Sequence, residues 1–133
     1  MSVATGATKL LSLAAATADT TSADWNLPWG ATGAIFVLDL TAVTPGATGA
    51  TFRIQGKDET SGKYYQINAT PAAVNATGTT VYVVYPSAGT VPGSGSGITA
   101  VTNTCFLPPT GNVVFKVTDG TFTGTVSMTP IMP

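Results

Sequence analysis

From Thr121 to Thr129 the chain alternates without a break: Thr121, Thr123, Thr125, Ser127 and Thr129 carry hydroxyls, and Phe122, Gly124, Val126 and Met128 stand between them. A period of two sends successive side chains to opposite faces, so this segment is a strand with one face in a core and one in water. A helix would scatter both sets around its axis. Just upstream, Val113, Phe115 and Val117 alternate with Val114, Lys116 and Thr118. Asp119-Gly120 between the two runs predicts a tight hairpin, because Gly accepts the positive φ such turns need.

A second hairpin is predicted from Thr51 to Ala69. Phe52 and Ile54 point one way, and Thr51, Arg53, Gln55 and Lys57 the other, with Asp58-Glu59-Thr60-Ser61-Gly62 as the turn. Arg53, Lys57, Asp58, Glu59 and Lys63 concentrate charge here, which marks this hairpin as the part that projects into solvent. Two runs, Ala34 to Leu40 and Thr80 to Tyr85, have apolar residues on both faces. They read as central strands, or as strands whose outer face meets another chain. Near the start, Leu10, Leu11 and Leu13 give a first strand with an Ala-rich helix as its rival, and the surrounding Thr residues favour the strand.

Seven to eight such strands joined by short turns predict an all-β fold: a single antiparallel β-sandwich, jelly-roll or immunoglobulin-like, over residues 1–133, with a closed barrel as the alternative. Residues 1–8 read as an N-terminal arm, 129–133 as a C-terminal tail, and 86–111 as a long Gly/Pro-rich loop containing the flexible tract Val91 to Gly97 and the stiff Leu107-Pro108-Pro109. Lys9, the leucines and Ala16-Thr17-Ala18 imitate a secretory signal, but the segment reads as retained in a soluble chain made in a reducing cytoplasm.

Composition narrows the chemistry. There is no His and one Cys, so neither a His general base nor a His-bearing metal site nor an internal disulfide is expected. Five basic residues at a pI of about 4.9 make no stripe for nucleic acid, and no apolar run reaches membrane-spanning length. Charged residues are only 8% of the chain, against the ordinary quarter, so the surface is polar through its 25 Thr and desolvates at low cost against another protein. No cofactor is expected.

Asp58 and Glu59 are neighbours in a turn and should diverge, whereas glycoside hydrolysis needs two carboxyls facing each other across a sugar. Cys105 reads as a small buried residue, with a disulfide between subunits as the alternative. The most distinctive segment is Asp24-Trp25-Asn26-Leu27-Pro28-Trp29-Gly30. Its tryptophans could cap the core, anchor a protein interface or stack on sugar rings; Tyr64, Tyr65, Tyr82 and Tyr85 could extend a sugar platform. No catalytic residue is assigned. The candidate interface residues are Trp25, Trp29, Leu10, Tyr82, Tyr85, Leu107 and Ile131.

The succession Thr51-Phe52-Arg53-Ile54-Gln55-Gly56-Lys57-Asp58, then Ser61-Gly62-Lys63-Tyr64-Tyr65, then Ala76 through Pro86, with Phe106-Leu107-Pro108-Pro109 and Asn112 to Val117 after it, resembles small β-rich structural proteins of tailed bacteriophages and prophages. The likeness covers roughly residues 33 to 130. It implies a virion protein without catalytic residues, foremost a capsid decoration protein that contacts the major capsid protein, as a homo-oligomer with a trimer favoured. A neck, tail or fibre-attachment protein is the runner-up, and a surface carbohydrate-binding module the third reading.

Overall fold

The computed structural model describes residues 8–45, 48–68, 72–86 and 98–131. Among them there is no helix. Seven long strands carry the fold: β1 (Thr8–Ala16), β4 (Gly33–Val43), β5 (Gly49–Lys57), β8 (Gly78–Tyr85), β9 (Ile98–Thr104), β10 (Thr110–Asp119) and β11 (Phe122–Ile131). Four short ones fill the edges: β2 (Thr20–Thr21), β3 (Trp25–Asn26), β6 (Tyr64–Gln66) and β7 (Ala73–Val74). They form two open sheets. One has the order β1-β11-β4-β8-β9; the other runs β2-β10-β5-β6, with β3 also on β10 and β7 also on β5. All pairs are antiparallel except β8 with β9.

The two sheets close over a single core, and alternation decides which residues enter it. Ala34, Phe36, Leu38 and Leu40 of β4 are all buried, as are Phe52 and Ile54 of β5 and Phe122, Val126 and Met128 of β11. Leu11 and Leu13 confirm β1 as a strand by entering the same core. Between the sheets, the rings of Phe115 and Phe122 meet edge to face at 5.2 Å, and those of Phe52 and Tyr82 at 4.8 Å. Such pairs add to the burial itself.

Three expectations are corrected. First, Asp119-Gly120 does not close a hairpin: β10 lies in one sheet and β11 in the other, so the turn arches across the core. Gly120 does take the predicted left-handed conformation, with φ 97°. Second, the segment 86–111 is not one loop. It contains β9, and it ends inside β10. Third, the tail from Thr129 belongs to β11 as far as Ile131, with Pro130 opposite Ala34. Among the described residues β1 pairs with β11 only as far as Met128, so Pro130 lies where β11 is an edge strand, a place that tolerates proline. The arm residues 1–7, the tract 87–97 and the last two tail residues lie outside the described residues.

The two runs with apolar residues on both faces are central: β4 sits between β11 and β8, and β8 between β4 and β9. The hairpin at 51–69 forms as β5 and β6, in the register Lys57↔Tyr64, Gly56↔Tyr65 and Gln55↔Gln66.

Candidate functional site

At one end of the sandwich three connections meet: the β3–β4 loop, the β5–β6 turn and the β9–β10 loop. The first and third are tied together by backbone. Leu27 N donates to Pro109 O at 2.8 Å, and Leu107 N donates to Thr32 O at 3.1 Å. Trp25 Nε1 donates to Pro108 O at 3.3 Å. The Trp25 indole, 2% exposed, lies 5.3 Å from the Phe36 ring and beside Gly111. Gly111 is register-paired with Gly56, over which Pro108 and the Tyr65 ring pack. Two facing glycines thus make the slot that admits the rings.

Trp29 stands out from this base. Pro28-Trp29-Gly30-Ala31 is a tight turn, closed by Ala31 N donating to Pro28 O at 3.1 Å, with Gly30 at φ 92°. Gly30, left-handed at the third position of this bonded turn, gives it type II geometry with Trp29 at the second position, on the apex. The indole is 97% exposed. Phe106 in the adjoining loop is 71% exposed, and Tyr65 and Tyr64 are exposed on β6. Every exposed aromatic side chain among the described residues therefore belongs to this one pole.

Beside the rings lies a polar triad. Lys57 Nζ is 3.0 Å from Asp24 Oδ2, Tyr64 Oη donates to Asp24 Oδ1 at 2.6 Å, and the ammonium sits 5.6 Å from the Tyr64 ring centre. The Tyr64 and Lys57 hydrogen bonds hold the Asp24 carboxyl below its ordinary range, and the same carboxylate raises Lys57 and Tyr64. Asp58 and Glu59 diverge as expected. Asp58 accepts from Ser61 Oγ at 2.7 Å, which lowers its pKa and locks its own turn, whereas Glu59 accepts from Thr110 Oγ1 at 3.0 Å. Cys105 is half-buried, and burial pushes its thiol up, away from the thiolate a nucleophile needs. Among the described residues no group of three His, Cys, Asp or Glu gathers to hold a metal ion.

The predicted interface residues divide sharply. Trp25, Tyr82 and Leu107, at 2%, 5% and 4% exposure, are core residues, and their side chains have no surface to offer a partner. Leu10 is half-buried against the core. Tyr85 and Ile131 are half-buried at this same end of their strands, while Trp29 alone of the set is fully exposed. Phe106 escaped the sequence reading, because nothing in Cys105-Phe106-Leu107 says which of the two apolar residues turns outward.

The titrations predict a wide stability plateau. Asp24, Asp58 and Asp119 have lowered pKa values, so their contribution is full above about pH 4 and is lost as pH falls through the folded values. Lys57 and Tyr64 are raised, and burial pushes Tyr82 up to about 12, so their contribution is full below about pH 10 and is lost above it. Thermal melts across pH should therefore be flat between these limits, and an ultraviolet titration should show the Tyr82 phenol ionising only at about pH 12. A transition near pH 6 to 7 would contradict the assignment.

Comparison of the chain with protein families, with curated proteins and with solved structures gave no match.

Proposed function

We propose that the chain is a non-enzymatic structural protein of a tailed-bacteriophage particle, a capsid decoration protein that docks its aromatic pole on the major capsid protein and thereby raises the cost of opening the shell. Trp29 carries this reading. A rigid, fully exposed indole is unfavourable in water and gains only when another surface covers it. Burying about 200 Å² of it contributes ~5 kcal/mol by area. The neighbouring Phe106 and Tyr65 supply the surround that excludes water from such an anchor. A jelly-roll-like wrapping fits this reading: the arches β4 to β5 and β10 to β11 join strands that pair within both sheets, β4 with β11 and β5 with β10.

The test is co-sedimentation with assembled shells. Wild-type protein is expected to bind, and Trp29→Ala to bind at least roughly 30-fold more weakly with an unchanged melting temperature. Protein without affinity for shells, together with particles that survive heat and osmotic shock equally well without it, would end the proposal. Copy number separates decoration, with hundreds per particle, from a ring at the neck or tail.

The Asp24, Lys57 and Tyr64 triad beside exposed rings favours a second reading, a glycan site in which rings stack on sugar C–H faces and the triad bonds hydroxyls. Glycan-array binding lost in Trp29→Ala would support it, and a blank array would remove it.

A further inference from the structure

Sheet edges are hazards that proteins blunt, because an unpaired row of N–H and C=O groups recruits any strand that fits. Three of the four edges here are blunted. On the β10 side of the six-stranded sheet lie only β2 and β3, of two residues each, and on the β5 side only β6 and β7, of three and two. In the other sheet, β1 carries Lys9, breaks register twice and holds Ala15 at φ 50°. The fourth edge is β9. It keeps unbroken register with β8 from Thr79↔Ile98 to Tyr85↔Thr104, and its seven residues include no charge, no Pro and no bulge. No described strand covers its far side.

We propose that β9 pairs antiparallel with β9 of a second copy, about a two-fold axis at Val101, joining two five-stranded sheets into one of ten strands. The occupant is read from the strand itself. In this register Val101 faces its own counterpart, Ala100 faces Thr102, and Thr99 faces Asn103. No like charges meet, which few strands could offer to themselves. Val101 shares a face with the core residue Tyr82 yet is 37% exposed, an apolar side chain at the middle of an open edge. Among the described residues each chain has one such edge, so pairing consumes both and stops at two, a closed dimer in place of the trimer that the resemblance implies. The inference is independent of shell binding.

The test uses the full chain. Sedimentation velocity from about 1 to about 100 μM should show wild-type protein passing from monomer to dimer. Val101→Lys and Val101→Glu should each weaken the dimer by roughly tenfold or more, by setting like charges face to face. An equal mixture of the two variants should regain it, since only a residue that faces itself is rescued by its opposite charge. Circular dichroism melts of each variant establish that it is folded. Independently, Val101→Cys combined with Cys105→Ser should give a disulfide-linked dimer with oxidised glutathione as electron acceptor, because directly opposed antiparallel residues lie about 4.5 to 5.5 Å apart, within disulfide reach. Wild-type protein that stays monomeric or forms trimers, a mixture that fails to re-associate, or a cysteine variant that does not cross-link would each overturn the proposal.

Discussion

Asn68→Leu is expected to destabilise the fold by about 3 kcal/mol, although leucine is the better apolar fit for a residue only 4% exposed. On its outer side β5 is paired by β7 at Ala50 and Thr51 and by β6 from Gln55 onward, which leaves residues 52 to 54 without a strand. The Asn68 side chain fills the gap as a strand would. Its Oδ1 accepts from Ile54 N at 2.8 Å, and its Nδ2 donates to Phe52 O at 2.7 Å. Leucine would leave a buried N–H and a buried C=O without partners, at about 1 to 3 kcal/mol each. For a chain of this length the midpoint should fall by roughly 10 °C.

Asn68→Asp separates this account from simple loss of packing. Aspartate keeps the acceptor for Ile54 N but turns a charged oxygen toward the Phe52 carbonyl, so its folded pKa must lie above the unfolded value. Stability lost by such a raised carboxyl returns as pH falls and the proton restores a donor. The variant should therefore melt higher near pH 4 than at pH 7, whereas the wild-type protein is flat across that interval. Equal melting of Asn68→Asp at both pH values would show that the amide does not act as a surrogate strand.

Local alternation made β5, β10 and β11 legible, because a side-chain period of two follows from strand geometry alone, and Phe52 and Ile54, Val113 and Phe115, and Phe122, Val126 and Met128 appear in the core as written. Pairing was less legible. Asp119-Gly120 satisfies the backbone demands of a hairpin and of an arch equally, and the choice between them lies in the contacts of Val113 and Val126 with strands far away in sequence. β9 was hidden because a Thr-rich strand beside a Gly/Ser tract lacks the hydrophobic contrast that marks one. The two tryptophans could have been told apart in part. Gly30 marks a turn with Trp29 at its apex, but only the pairing of Gly111 with Gly56 shows why Trp25 turns inward. Asn68, followed by Ala69-Thr70-Pro71, reads as an ordinary turn residue, and its role exists only once β5 lies beside it.

The second large effect is expected at that glycine pair, where the two positions should differ although their backbones are opposite each other. A methyl on Gly111 would run into the Gln55 carbonyl oxygen and lie 2.5 Å from the six-membered ring of Trp25. The carbonyl belongs to the β5 ladder, and Trp25 is fixed by its bond to Pro108 O, so neither can yield cheaply. Overpacking of this kind costs about 3 kcal/mol. A methyl on Gly56 would meet instead the Pro108 ring at 2.5 Å and the Tyr65 ring at 2.8 Å. Tyr65 is half in water and can swing outward, whereas the Pro108 ring is held in the bonded 107–109 segment, so Gly56→Ala should cost about 2 kcal/mol. The consequences for binding should follow the same order. Displacing Trp25 loosens its bond to the 107–109 segment, which in turn anchors both ends of the loop carrying Trp29. Gly111→Ala should therefore lose stability and partner binding together, Trp29→Ala should lose binding alone, and Gly56→Ala, which presses on Pro108, should show the smaller loss of both. Chemical-denaturation midpoints measured beside binding isotherms for the three variants test this order. If Gly111→Ala keeps wild-type affinity while its midpoint drops, the glycine slot supports the core without positioning the aromatic pole.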